Sequence, residues 1–255
     1  MVELKTAAEI EQMRAAGRVV ASALAAVKKE AAVGVSLREL DGVARDVLRS
    51  AGAVSLFEGY QPGFATSPFS GVICTSVNDA VLHGPPGDLK LQDGDLLNVD
   101  CGASIDGWCA DSAISFCVGT PRAEDLELIA TTEEALAAGI AAAVPGKRLG
   151  DVGAAIGQIG KAAGFGTNLD FGGHGIGRRM HEEPHVPNGG RAGRGLKLRA
   201  GHVFAIEPWF WSGPGSTYVI DDDGWTLRSA DQTRGAHAEH TVAVTEDGPQ
   251  ILTLV

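Results

Sequence analysis

The feature that most constrains this chain is a pattern that runs through it twice. Residues 6–30 carry apolar side chains at helical spacing, and Gly34 stops them. Ser36-Leu-Arg-Glu39 then has capping-box spacing and opens a second helix, which ends near Gly52. From Val72 to Val118 short apolar runs alternate with Gly, Pro, Asn and Asp, as strands and turns do. The series then starts again. Glu124–Val144 reads as a helix, Gly146 breaks it, and Leu149–Gly164 reads as another. Strands and turns resume beyond Thr167 and run to the C-terminus. A shift of 112 residues lays Gly34 on Gly146, Leu37 on Leu149, Ala51 on Ala163 and Gly52 on Gly164. A helix pair followed by strands, present twice, is read as an internal duplication. The two halves, near residues 1–120 and 121–255, are expected to pack with sheets inward and helices outward. No low-complexity linker parts them, so residues 1–255 are read as one domain, and a site between the halves draws on both.

Composition narrows what such a site can do. Hydrophobic residues make up 44% and charged residues 21%, which suits a buried core and excludes disorder and disulfide scaffolds. The net charge of −11 argues against non-specific nucleic-acid binding. Carboxylates gathered to hold a cation also produce an acidic balance. The first residues mix Glu3, Lys5, Glu9, Glu11 and Arg14 with apolar side chains, so no signal peptide is expected. No stretch approaches the roughly 18 apolar residues of a membrane span. Cys74, Cys101, Cys109 and Cys117 form no Cys-x-x-Cys pair and read as reduced thiols of a cytoplasmic protein. Pro187–Gly201, with Arg191, Arg194, Lys197 and Arg199, reads as a flexible, solvated basic loop.

The chemistry starts at Asp100 and Asp111. Asp106-Gly107 between apolar flanks is a strong two-residue hairpin signal. With that turn, Ile105 pairs with Trp108 and Gly102 with Asp111. Alternation along the strands puts Asp100, Gly102 and Asp111 on one face, the two acids diagonal to each other. Such a pair repels unless a proton or a cation lies between the carboxylates, or one of them faces solvent and the pair is structural. Glu207 ends the apolar run Val203-Phe-Ala-Ile, and Glu239 opens the run that reaches Val244. Acids in such runs are costly to bury unpaired, so four of them with few bases in view ask for bound cations. His83, His174 and His181 lie in Gly- and Pro-rich turns that let other groups approach closely. His181-Glu-Glu-Pro-His185 has the letters of a zincin motif. That motif needs a helix, and Pro184, Pro187 and Asn188-Gly189-Gly190 argue against one.

The ordered series His83, Asp100, Asp111, His174, His181, Glu207, Glu239 resembles the type I methionine aminopeptidases. So do Ser76-Val-Asn-Asp79, Asn98-Val-Asp100, Gly173-His-Gly-Ile-Gly177, His181-Glu-Glu-Pro184, Ile206-Glu-Pro208 and Glu239-His-Thr241. The likeness runs from Glu9 onward. It implies an α+β fold of the duplicated "pita-bread" type, with two pseudo-symmetric halves, inner antiparallel sheets and outer helices. It implies two divalent metal ions (cobalt, manganese, iron or zinc) on Asp100, Asp111, His174, Glu207 and Glu239, with Asp111 and Glu239 bridging. It implies removal of N-terminal methionine from nascent polypeptides by an activated water, with small second residues preferred. Glu207 is then expected to carry a proton to the leaving amine, His181 to stabilise the oxyanion, and His83 to bind the scissile amide. Tyr60, Cys74, Met180 and Trp225 are expected to wall the methionine pocket. A monomer is expected, with the ribosome as a partner through the basic loop and no nucleic-acid role of its own. The chain departs from the family in its long 61–73 segment, in Phe57, and in Cys109-Ala110 before Asp111. Cys109 falls on Asp111's strand face, which would put a thiol near the metals. The short, single-domain form is expected, without a zinc-finger extension and without the separate N-terminal domain of the Xaa-Pro peptidases, the nearest rival. A peptide-binding relative without catalysis would lack ligands that this chain keeps.

Overall fold

Both helices of the first half start where a side chain can cap them. In this computed structural model, which describes residues 2–255, α1 spans Ala7–Glu30 and α2 spans Leu37–Ser50. Glu9 Oε2 accepts from the Thr6 N–H at 2.7 Å, and Glu39 Oε2 from the Ser36 N–H at 2.8 Å. The Thr6 and Ser36 hydroxyls answer by accepting from the N–H groups of Glu9 and Glu39. Each box satisfies amides that the first helical turn leaves without partners. Ile10, Met13, Gly17, Val20, Leu24 and Val27 form the buried stripe of α1.

That stripe covers a four-stranded antiparallel sheet. Its strands are β1 (Val54–Ser55), β2 (Cys74–Val77), β4 (Leu96–Ile105) and β5 (Trp108–Cys117), while the intervening β3 (Ala80–Leu82) pairs elsewhere. Asp106 and Gly107 have φ of 51° and 74°, the left-handed pair that a two-residue hairpin turn requires. The resulting register sets Ile105 opposite Trp108 and Gly102 opposite Asp111, as the sequence indicates.

The second half repeats the order. Helices α3 (Ala123–Ala142) and α4 (Leu149–Ala163) precede β6 (Gly173–Gly175), β7 (Glu182–Val186), β8 (Val203–Ile206), β9 (Trp209–Trp211), β10 (Tyr218–Ile220), β11 (Leu227–Ser229), β12 (Gly235–His237), β13 (His240–Thr245) and β14 (Gly248–Ile251). The main sheet has the order β14-β13-β8-β6-β7, all antiparallel. β10 and β11 add to β3 of the first half. Each helix pair has its own apolar core, one around Val20, Leu40 and Val99, the other around Leu128, Ile156 and Phe204. The zincin-like stretch lies in β7, so it is strand and not helix.

The halves join along β5 and the start of β13. Glu239 and Ala113 exchange backbone hydrogen bonds, and the Asp111 N–H donates to Thr241 Oγ1 at 2.9 Å. Ser115 Oγ donates to the His237 carbonyl at 2.6 Å. The basic loop is exposed at Arg191, Arg194, Lys197 and Arg199. It is nevertheless tied down, which the sequence reading did not foresee: the amides of Gly146, Leu149 and Gly150 donate to the carbonyls of Leu198, Leu196 and Arg194.

Candidate active site

The junction of the halves brings four carboxylates and an imidazole to one point. Asp100 and Asp111 come from β4 and β5 and share a face with Gly102 between them. A Cβ at residue 102 would stand 3.1 and 3.2 Å from the Asp111 carboxylate oxygens and 2.8 Å from the Phe57 ring. Glycine there keeps the space in front of Asp111 open. The β5–β13 pairing delivers Glu239 beside Asp111, and Glu207 follows the last residue of β8. His174 sits in the three-residue β6, between β7 and β8. Its neighbours must be small: a Cβ at Gly173 would lie 2.2 Å from the Ala205 carbonyl oxygen, and one at Gly175 2.3 Å from that of Glu183. His174 Nδ1 lies 2.9 Å from the Gly175 carbonyl. A carbonyl only accepts, so Nδ1 carries the proton and Nε2 turns a lone pair to the cluster, 3.5 Å from Glu207 Oε1.

Burial dominates the electrostatics. It pushes Asp100 up to about 7. Burial and the neighbouring Asp100 raise Glu207 to about 8. Burial and the facing acids hold Asp111 and Glu239 well above the usual carboxylate range. Burial lowers His174 to about 3 and His83 to about 4, each with help from His181. Left to themselves, these acids hold protons and these imidazoles lose them.

The cluster floors a cavity of about 180 Å³. Tyr60, Cys74, Met180 and Trp225, the four wall residues inferred from sequence, meet there with Phe57 and Phe69. His83 and His181 line it as well. The Tyr60 hydroxyl is 3.0 Å from His181 Nδ1, and the His181 ring is 4.3 Å from that of His174. His83 has φ of 61°, unusual for a residue with a Cβ, and its buried Nδ1 has no hydrogen-bond partner. Strained backbone of this kind gathers at functional sites.

Residues 11–246 match the family model of metallopeptidase family M24. The chain belongs to this family. It is 49% identical to methionine aminopeptidase 1 of Mycobacterium tuberculosis, over 100% of this chain and 96% of that protein. The crystal structure of methionine aminopeptidase from Thermotoga maritima matches at a TM-score of 0.95 and 37% identity, over the whole of both chains. Prolidase from Pyrococcus furiosus shares the fold, with a TM-score of 0.75 and 24% identity, but the match covers only 65% of that longer chain. The pita-bread architecture is thus shown, and the chain is a metal-dependent peptidase.

The cluster suits the divalent metal of an M24 enzyme on its own chemistry. Ligand atoms of Asp111, His174 and Glu239 lie within 4.8 Å of one another. Asp100 Oδ1 and Glu239 Oε1 are buried without any hydrogen-bond partner. Among the described residues no Lys or Arg lines the cavity to neutralise them. An oxygen-rich set with one imidazole favours borderline divalent ions over a structural thiolate site.

The M24 site also holds residues that sequence reasoning missed. His237 Nε2 is buried, unpartnered, 3.7 Å from Glu207 Oε2 and 4.0 Å from Glu239 Oε2. Alternation offered a signal, because His237 and Glu239 are two apart in an extended run. Phe64 and Phe171 also line the cavity. Cys109 does not: on Asp111's face of β5, it packs with Ile10, Met13, Trp108 and Ile176 away from the cavity lining.

Proposed function

We propose that this chain removes N-terminal methionine from polypeptides, preferring those with small second residues. The observation that carries the reading is that the acid cluster opens directly onto a pocket walled by Cys74, Met180 and Trp225. A thioether side chain suits such soft and aromatic walls. The full-length likeness to methionine aminopeptidases supports the same substrate.

In this reading Asp100, Asp111, His174, Glu207 and Glu239 hold two divalent ions, of cobalt, manganese, iron or zinc. When bound, such ions supply Lewis acidity and a nucleophile at neutral pH. The chain's own groups do the rest. Glu207, directly after β8 and beside the metal set, carries a proton at its carboxylate to the leaving amine. His181 is neutral at pH 7, since burial lowers its pKa. The Tyr60 hydroxyl lies 3.0 Å from its Nδ1; in the tautomer whose Nδ1 accepts from that hydroxyl, Nε2 keeps a proton to offer the developing oxyanion. His83 lines the cavity, where its imidazole meets the scissile amide. The apolar walls bind the methionine side chain and exclude water around it.

The same reading takes the whole chain as one catalytic unit that works as a monomer on nascent chains in the cytoplasm. The exposed Arg191, Arg194, Lys197 and Arg199 serve as the ribosome contact. Free thiols at all four cysteines suit a reducing compartment, and no described helix is long and apolar enough to cross a membrane.

The test is release of methionine from Met-Ala-Ser by metal-loaded protein, with a chelated control and Ala-Pro alongside. Metal-dependent cleavage of Met-Ala-Ser alone is the expected outcome. Cleavage of Ala-Pro alone would transfer the protein to the Xaa-Pro peptidases. Silence on both, across several metals, would leave a binding protein.

A further inference from the structure

The long 61–73 segment does more than connect. Tyr60 and Phe69 close its base: the Phe69 N–H donates to the Tyr60 carbonyl at 2.8 Å and the Gly59 N–H to that of Phe69 at 2.9 Å. Between them the chain leaves and returns at one place. The Ala65 N–H donates to the Pro62 carbonyl at 3.0 Å, a tight turn with Phe64 inside it. Trp225 Nε1 donates to the Ser67 carbonyl at 3.1 Å and fastens the returning limb to the methionine pocket.

Phe64 is 46% exposed, so the core does not hold it there. Its ring is instead turned onto the cavity. It meets Trp225 edge-on at 5.8 Å and Phe171 edge-on at 6.1 Å, and it lies nearly parallel to His83 at 6.2 Å. Phe64 therefore touches both a wall of the methionine pocket and the imidazole assigned to the scissile amide. Phe171 meets the same imidazole edge-on at 5.3 Å. A peptide whose first side chain fills the pocket, and whose first amide meets His83, must leave across these two rings.

We propose that Phe64 is a specificity-determining residue: with Phe171 it forms an aromatic wall for the side chain of the substrate's second residue, and its bulk limits the size of that side chain. The proposal rests on the methionine aminopeptidase reading above. Phe64 makes no contact with the carboxylate cluster that the structure records, so its effect falls on selectivity, not on the bond-breaking step. Truncating a half-exposed side chain on a loop with a closed base leaves the fold intact.

The experiment compares metal-loaded wild type, Phe64→Ala and Phe64→Trp on Met-Ala-Ser, Met-Val-Ser and Met-Leu-Ser. Phe64→Ala is expected to raise the kcat/KM ratio of Met-Leu-Ser to Met-Ala-Ser on the order of tenfold. Phe64→Trp is expected to lower it. Unchanged ratios in active variants overturn the proposal, and so does an equal loss on all three peptides, which would make Phe64 a mere support for His83. A wild type silent on Met-Ala-Ser overturns the underlying reading, and this proposal with it. The two failures are thus told apart by the wild-type lane.

Discussion

The two halves have the same order of elements and hold their functional groups in opposite ways. In the first half Asp100 and Asp111 sit within ten-residue strands paired along their whole length. In the second, His174 occupies a three-residue strand, Glu207 follows the end of β8, and Glu239 precedes β13. The helices differ in the same sense. Thr6 and Ser36 cap α1 and α2 with their own side chains, whereas Arg122 gives α3 no such bond. α4 keeps only the reverse half, Asp151 accepting from the Arg148 N–H at 2.7 Å. It is held by the loop that crosses it, as α2 is by the carbonyls of Gly87 and Leu89. Both helix pairs are thus held by a crossing loop, and the first half adds side-chain caps that the second lacks. The site joins a stiff pair of ligands to a set that depends on its surroundings.

Removing the stiff ligand gives the largest effect. Asp111→Ala is expected to abolish methionine release, and divalent metal should no longer raise the melting temperature of the variant. The same change takes away a buried carboxylate held out of its usual charge state, so the metal-free variant should melt above metal-free wild type near pH 8. Calorimetry with and without metal checks both statements. A fully active Asp111→Ala protein would sink the assignment.

The acids repel across the junction, and pH tunes that repulsion. Asp100 comes from the first half and Glu207 from the second. Burial raises them to about 7 and about 8, from 3.8 and 4.5. His83, His174 and His237 are lowered to about 4, 3 and 3, so above pH 6.5 they are neutral in the folded chain. Unfolded imidazoles are largely neutral there as well. Between about pH 6.5 and 8 the folded, metal-free protein thus binds more protons than the unfolded chain, through its acids. Stability present at low pH is lost as pH rises through those values. The melting temperature of the chelated protein should fall over this window, and a divalent cation should abolish the fall. A flat metal-free profile would show that the halves meet without strain.

The same division explains what could be read beforehand. The hairpin, its register and the Asp100–Asp111 face were legible because Asp106-Gly107 dictates its own turn and alternation does the rest. The capping boxes at Thr6 and Ser36 are likewise local. His237 was not seen, although it alternates with Ala236 and Ala238, since β12 has only three residues and is too short to announce a strand. Phe64 sits in a Pro62-Gly63 turn that the sequence marks, but its place over the cavity, like that of Phe171, is set by tertiary contacts. The basic loop read as free because its bonds to the start of α4 are between backbone groups, which no side chain announces. One sign was present: Gly150, Gly153, Gly157 and Gly160 share a face of α4, the pattern of a close backbone approach.

Glycine-to-alanine changes turn that sign into a measurement. Alanine favours a helix over glycine by about 0.8–1.0 kcal/mol. Gly42 in α2 has nothing within 4 Å of an added Cβ, so Gly42→Ala should stabilise by about 0.5–1 kcal/mol. In α4 a Cβ at Gly153 would lie 2.6 Å from the carbonyl oxygens of both Pro187 and Gly189. Neither oxygen can swing aside as a side chain would. Gly153→Ala should therefore destabilise by about 1–3 kcal/mol, as overpacking does. It should also lower kcat/KM, because Asn188, between those residues, donates to the Glu207 carbonyl at 3.0 Å. Urea unfolding of both variants decides the matter. Equal stabilisation in the two helices would mean that the loop yields and that the second half is as locally determined as the first.

The smallest effect tests the caps. Ser36 Oγ accepts from the Glu39 N–H at 3.2 Å, and its own N–H is bound by the Glu39 carboxylate. Ser36→Ala removes the hydroxyl that accepts from the Glu39 N–H, leaves that amide only its bond to the Ser36 carbonyl, and should cost about 1 kcal/mol. Arg122 stands at the same position of α3 and makes no side-chain cap, so Arg122→Ala should stay within about 0.5 kcal/mol of wild type. Its guanidinium is 4.0 Å from Glu124 and from Asp125, too distant and too exposed to offset the difference. Urea midpoints at constant slope measure both losses. Equal losses would place the difference between the halves in the loop packing alone, and a larger loss at Arg122 would reverse the comparison at its most local level.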